Sequence, residues 1–377
     1  MRTLERIVQV IPLAVKAIIL ALGVLLILAS VAWFLLARTT RYLRRHREML
    51  LEEVGVLQGA LLPAVPAELN RLQASVAYRP AEGMAAGGDF YDAFALDDGR
   101  VGVVVGDVAG HGKGALMHTA LLRYTLRAYL EADLEPRAAL QVGGRALDRG
   151  FDTIATVALA VYDPNARVLR YACAGHPPPV FVGDADHVPV TAASSPPIGV
   201  GVATGLRQTT VSLPADSAVC FFTDGLIEAR HDGQLLGRLG LVEIIRELGA
   251  RATAAELLDR VAIHADRVDD DMAACMFRVV GGSAATDCSR VEELEVRRGE
   301  PLDIVLRRFL VACGVAPKPI SSAILRTDRA MRRHPGVVVA VSIGPDGKHV
   351  EVRPANVESF AAAEARRDSM AVGRGGR

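Results

Sequence analysis

From Ala17 to Ala37 the sequence reads AIILALGVLLILASVAWFLLA, without one charged residue. A helix rises about 1.5 Å per residue, so a stretch of this length can cross the roughly 30 Å hydrocarbon core of a bilayer. Such a span divides a chain: residues 1–16 become a short N-terminal segment, 17–37 a transmembrane helix, and the rest must fold by itself. Lys16 bounds the span upstream, Trp33 falls near the other interface, and Arg38, Arg41, Arg44, Arg45 and Arg47 follow. These arginines outnumber Arg2, Arg6 and Lys16, so the positive-inside rule places the bulk of the chain in the cytoplasm, on a single-pass protein of the inner or plasma membrane. A cleaved signal peptide fits less well, because its apolar region is shorter and no basic cluster follows it.

Residues 38–66 form a linker. Leu43, Leu50, Leu51, Val54, Leu57 and Leu61 recur at helical spacing until Pro63 and Pro66 end the pattern. Two readings stand equally here, a solvated stalk and a short dimerising coiled coil that would make the chain a homodimer. The 43 basic and 43 acidic side chains cancel, so nothing global points to nucleic acid. Cys173, Cys220, Cys275, Cys288 and Cys313 form no CxxC pair and read as reduced thiols rather than as disulfides or a zinc site.

After Val76 the pattern turns strand-like, with a helical stretch near 115–132. Four runs set aspartates against apolar segments: GGDFYD with Asp89 and Asp92, VGVVVGDVAGHG with Asp107 and His111, AVCFFTDGLIEA with Asp224, and VDDDMAACMFRVV with Asp269, Asp270 and Asp271. One such aspartate is ordinary turn chemistry. Several converging at strand ends would repel one another and need protons or cations. Oxygen ligands without His or Cys favour two divalent cations, Mn²⁺ or Mg²⁺, which can activate water toward a phosphorus atom. Neighbouring glycines let backbone approach such ions.

The order GGDFYD, GDVAGHG, AGHPPP, FFTDGLIEA, DDDMA resembles the metal-dependent serine/threonine phosphatases of type 2C (PPM), in their bacterial SpoIIE/RsbU branch. LQGALLP and IATVALAVYD are also similar to segments of that branch, and the resemblance covers roughly residues 57–280. It implies an α+β fold, a four-layer αββα sandwich over residues 67–281, preceded by the membrane helix and followed by a small α/β module. It further implies that Asp107 and Asp89 serve catalysis, and that Asp89, Asp107, the Val108 carbonyl, Asp224 and Asp270 hold the metals. Asp269 and Asp271 remain substitutes for Asp270, and Gly88, Gly110, His111 and Asp271 border the set as further candidates. His111 lies four residues after Asp107 rather than two, so the acid role of the eukaryotic branch does not transfer; His111 and His176 read as loop histidines bonded to their own turns. Lys113 reads as solvated, and Ala273 stands where the family often has threonine. The helix from Leu116 to Leu130 is similar to one that can move the metal loop in this branch.

Gly281 to Asp287 reads as a small-residue linker. Beyond it, a strand, two helices and a hairpin over 282–355 faintly resemble the first half of the histidine-kinase-like ATPase fold, truncated and lacking the residues that hold Mg-ATP. Residues 356–377 read as a disordered tail. The implied function is hydrolysis of phosphoserine or phosphothreonine, without a phosphoenzyme, on a small signalling protein of the anti-sigma-factor antagonist (STAS) type in bacterial partner switching. The rival is a membrane-tethered pseudophosphatase that binds signalling partners without turnover. A full set of mutually repelling carboxylates speaks against that rival.

Overall fold

The structure is a computed structural model that describes residues 22–42, 62–80, 88–110, 113–147, 153–185, 187–191, 195–281, 290–334, 338–344 and 346–355, with residues 12, 15 and 18. The linker positions 43–61, His111, Cys288 and the tail 356–377 lie outside the described residues. Two compact units emerge, Met1–Val56 and Leu57–Arg377. In the first, helix α1 (Leu22–Tyr42) is long and apolar enough to cross a membrane, and none of its apolar span is buried within the protein. Its C-terminal turns carry Thr39 and Thr40, whose hydroxyls donate to the carbonyls of Leu35 and Leu36.

The second unit is built on two sheets. One has five strands in the order β1-β2-β12-β9-β7, from Glu68–Leu69, Leu72–Arg79, Met272–Val279, Ala218–Phe222 and Val180–Val182 respectively. The other has eight, in the order β15-β14-β13-β8-β6-β5-β4-β3. Its strands are β3 (Phe90–Ala95), β4 (Val101–Val108), β5 (Ala155–Asp163), β6 (Val168–Ala174), β8 (Arg207–Ser212), β13 (Arg290–Val296), β14 (Val338–Ile343) and β15 (Val350–Ala355). A hairpin of β10 (Arg230–His231) and β11 (Gln234–Leu235) stands apart.

Strand alternation assigns the two faces of each sheet. Val101, Val103 and Val105 of β4, Tyr91 of β3, Phe221 of β9 and Cys275 and Phe277 of β12 share one core between the sheets. The alternate residues Phe90, Phe94 and Val104 meet α2 (Lys113–Glu131) and α3 (Pro136–Leu147) through Leu122, Leu126 and Leu140. On the far side, Cys220, Phe222, Met272 and Met276 meet α5 (Gly237–Leu248) and α6 (Ala254–His264), while α4 (Gly225–Glu228) is a single turn after β9. The result is the αββα sandwich expected from the sequence. Helix α6 begins with a full capping box, Thr253 and Glu256 satisfying each other's backbone N–H groups.

The described strands after Gly281 join the eight-stranded sheet. β13 pairs antiparallel with β8, placing Glu292 opposite Thr209, and β14 and β15 continue outward. The small-residue linker is therefore a boundary in composition but not in the sheet. Helices α7 (Leu302–Ala312) and α8 (Pro317–Arg333) cover β13–β15 through Leu306, Phe309, Leu310 and Ile320. α8 starts at Pro317, because proline is well tolerated in the first helical turn. The seam is charged: the buried Glu292 carboxylate accepts from Arg207 at 2.9 Å and from Thr209 at 2.7 Å, and Arg207 lies over the Phe309 ring.

Candidate active site

The alternation that fills the core also selects which aspartates meet. In β4, residues 101, 103 and 105 face the other sheet, so Asp107 does too, at the end of the strand. In β3, Tyr91 and Ala93 face inward, and Asp89, two residues before Tyr91, continues that face. Asp92 falls on the opposite face, where Arg127 of α2 approaches it at 3.3 Å and stacks over Phe94. Asp92 thus fastens a helix and does not join the cluster. β9 delivers Thr223 to the inner side, and Asp224 starts α4 without spending its carboxylate on a cap bond.

Oxygens of Asp89, Asp107 and Asp224 all lie within 4.8 Å of one another. Such a set is electrostatically unstable alone. Burial and then the carboxylates of Asp224, Asp270 and Asp271 push Asp107 up to about 7. Asp89, buried, is raised well above the usual carboxylate range, first by burial and then by Asp107. Asp224 is raised by burial and by Asp270, and its Oδ1 is buried without a hydrogen-bond partner. An orphaned carboxylate oxygen within an all-carboxylate cluster is the donor set that a hard divalent cation satisfies, so the residues present fit such a metal.

Of the three aspartates before β12, Asp269 is exposed and ion-paired to Arg267 and Arg230. Asp270 is half-buried, accepts the Asp271 N–H at 2.8 Å, and acts on Asp107 and Asp224. Asp271 continues the inward face of Ala273 and Cys275, is buried, accepts from the Tyr78 hydroxyl, and acts on Asp89 and Asp107. Asp270 and Asp271 therefore border the tight set from two sides of one strand end.

Backbone completes the pocket. The Val108 N–H donates to Gly88 O at 3.2 Å, and a Cβ on Gly88 would lie 1.8 Å from the Val108 carbonyl oxygen and 2.6 Å from Asp107 Oδ1. Only glycine lets these segments touch. Gly110, at φ +108°, turns the chain away after β4.

Three residues were not singled out from the sequence. Thr223, fully buried, donates to Asp89 Oδ2 at 2.6 Å while accepting the Ala273 N–H at 2.9 Å, and so ties a ligand candidate of one sheet to the other. Gly225 packs against the backbone of Asp271, where a Cβ would come within 1.9 Å of the carbonyl oxygen. Tyr78 of β2 holds Asp271. The signal was present in FFTDGLIEA, where Thr and Gly flank the aspartate, but a hydroxyl in a strand has no meaning until its partner is known. His176 does not bond its own turn; it reaches both sheets, with Thr156 Oγ1 at Nδ1 and Phe222 O at Nε2.

Comparison with known proteins agrees with this geometry. Residues 97–280 match the family described as Stage II sporulation protein E (SpoIIE). The chain is similar to the phosphoserine phosphatases RsbP and RsbU of Bacillus subtilis. Identity to RsbP is 26% over 147 residues, covering 37% of this chain and 36% of RsbP. Identity to RsbU is 24% over 213 residues, covering 56% of this chain and 63% of RsbU. The chain thus spans under two thirds of the length of either relative. Among solved structures, the SiaA-PP2C domain of Pseudomonas aeruginosa superposes with a TM-score of 0.53 at 22% identity, covering 62% of this chain and 97% of that domain, a likeness of fold. Through residues 97–280 the chain carries a SpoIIE-family PPM phosphatase domain, homologous to the RsbU and RsbP phosphatases.

Proposed function

We propose that this protein is a membrane-tethered, divalent-cation-dependent phosphatase that removes phosphate from serine or threonine of a small signalling protein, of the anti-sigma-factor antagonist type, in partner switching. The observation that carries this reading is the tight set of Asp89, Asp107 and Asp224, with its orphaned oxygen and raised carboxyls. In this reading Asp89, Asp107, Asp224, Asp270 and the Val108 carbonyl hold two ions, Mn²⁺ or Mg²⁺, with Asp271 beside them. When bound, the ions supply charge neutralisation for phosphate and an activated water. The chain's own residues supply the rest. Thr223 keeps Asp89 aimed inward, Gly88 admits the Val108 carbonyl, and the inter-sheet core closes the floor of the site to water. Helix α1 serves as the membrane anchor, with the phosphatase on the cytoplasmic side.

The test is hydrolysis of p-nitrophenyl phosphate and of a phosphoserine peptide by the full chain, with Mn²⁺, with Mg²⁺ and with EDTA, beside Asp107→Asn. Metal-dependent turnover that the substitution abolishes, while thermal unfolding stays cooperative, is the expected result. Full turnover by Asp107→Asn would refute the assignment. Binding of phosphoprotein without turnover in every condition would favour the scaffold reading.

A further inference from the structure

The carboxylate cluster is assembled from two separate sheets: Asp89 and Asp107 come from the eight-stranded sheet, Asp224 and the aspartates before β12 from the five-stranded one. Geometry at the cluster therefore depends on how far apart the two sheets are held at this end. The inter-sheet core is apolar and non-directional, so it sets how closely the sheets pack but not how polar groups line up at this end. Polar ties of defined geometry add that alignment.

His176 is such a tie. It follows β6 in the AGHPPP loop, is 4% exposed, and places its ring between the sheets. Nδ1 lies 2.9 Å from Thr156 Oγ1, and Nε2 lies 2.9 Å from the carbonyl oxygen of Phe222. A carbonyl only accepts, so Nε2 carries the proton and Nδ1 accepts from the threonine hydroxyl. Both ring nitrogens are satisfied by a neutral imidazole, and burial holds the group down at about 4, so it stays neutral at physiological pH. Both ends of the tie sit one step from the cluster. Thr156 is the register partner of Asp107 across β4 and β5, and Phe222 stands two residues before Asp224. The loop behind the ring is itself pinned, since Arg238 of α5 donates to the carbonyls of Pro178 and Pro179.

We infer that His176 is a positioning residue that spaces Asp107 and Asp224 for cation binding, acting as a neutral strut rather than as an acid, base or ligand. The inference rests on the phosphatase reading for its purpose, but the strut is testable by cation binding alone. Residues one step behind a metal's ligands typically alter affinity by about 10- to 100-fold when removed.

The experiment is isothermal titration of the full chain with Mn²⁺, in wild type, His176→Ala, His176→Gln and Thr156→Val, with thermal unfolding in EDTA as the control for folding and p-nitrophenyl phosphate hydrolysis measured over a Mn²⁺ series. His176→Ala is expected to weaken Mn²⁺ binding by about tenfold or more. The ester KM should move less than about twofold, and excess Mn²⁺ should restore turnover. His176→Gln, whose amide offers one acceptor and one donor, should recover part of the affinity. Thr156→Val removes one end of the strut while keeping a β-branched strand residue, and it decides the matter should His176→Ala not fold; it too should weaken binding. Wild-type Mn²⁺ affinity in a folded His176→Ala or Thr156→Val overturns the inference. So does a loss of turnover that saturating Mn²⁺ leaves unrepaired, which would place His176 in the chemistry. Failure of the wild type to hydrolyse the ester while it binds Mn²⁺ would strike the phosphatase reading and leave the strut standing.

Discussion

Gly88→Ala adds one methyl group at the closest approach in the site. The Cβ would stand 1.8 Å from the Val108 carbonyl oxygen, 2.7 Å from its carbon and 2.6 Å from Asp107 Oδ1, whereas contacts under 3.0 Å essentially do not occur. Two of these atoms are backbone and cannot swing aside, so β4 and the segment before β3 must separate by more than about 1 Å. That movement breaks the Val108 N–H to Gly88 O bond and displaces a carbonyl and a carboxylate proposed as ligands of the same ions. Overpacking of this kind costs about 1 to 3 kcal/mol of stability, and a misplacement of about 1 Å at a reacting centre costs roughly 100-fold in rate. The assay is Mn²⁺ titration and p-nitrophenyl phosphate turnover at saturating Mn²⁺, beside Gly114→Ala. Gly114 lies in α2, close to the same loop, with nothing within 4 Å of a Cβ there. Gly114→Ala, at an exposed position in the first turn of the helix, should leave stability within about 0.5 kcal/mol of wild type and keep its affinity for Mn²⁺. Wild-type Mn²⁺ affinity and turnover in Gly88→Ala would refute the claim that close backbone contact builds this site.

The Arg207–Glu292 pair is buried on both sides, so Arg207→Met should strip Glu292 Oε2 of its guanidinium, leaving Thr209 on that oxygen and Arg290 on Oε1, and lower stability by about 1.5 to 3 kcal/mol, with part of the loss recovered when Glu292→Gln is added. Equal thermal unfolding of single and double variants would show that the seam between β8 and β13 contributes little. Acidification should destabilise the protein through His176 and His187, held down at about 4 and about 3 chiefly by burial. Between these values and the unfolded value near 6.5 the unfolded chain binds more protons, so their contribution is complete above about pH 6.5 and falls away toward pH 4, by on the order of 3 kcal/mol for His176. In EDTA, Asp107 opposes this trend: its folded value of about 7 exceeds the unfolded value near 3.9, so it favours the folded state at low pH and loses that effect as pH rises. Asp107→Asn in EDTA should therefore be more stable than wild type at pH 7 and lose stability more steeply on acidification; parallel pH profiles from thermal unfolding would contradict this. Cation binding must displace the Asp107 proton, so Mn²⁺ affinity should rise from pH 6 to pH 8, with proton release visible as a buffer-dependent heat.

The sequence alone determined the local rules. An uncharged apolar run must be a helix that can enter a bilayer, and valines at 101, 103 and 105 followed by Asp107 must put that carboxylate on the same face as a core. The same period of two separates Asp89 from Asp92, three residues apart, so their divergence was legible without coordinates. Motif order carried the sandwich itself. What the tertiary structure decided concerns partners distant in sequence. The contrast between Asp269, tied to two arginines, and Asp271, buried beside Tyr78, follows from packing across 193 positions. Thr223, not singled out from the sequence, gains its role only when Asp89 arrives from the other sheet. His176, read as bonding its own turn, instead spans the two sheets. The C-terminal segment shows the same limit: its strand, helices and hairpin were readable from periodicity, but its union with the phosphatase sheet was not, because any strand offers backbone donors and acceptors along its edge and side-chain patterns do not name which edge will meet it.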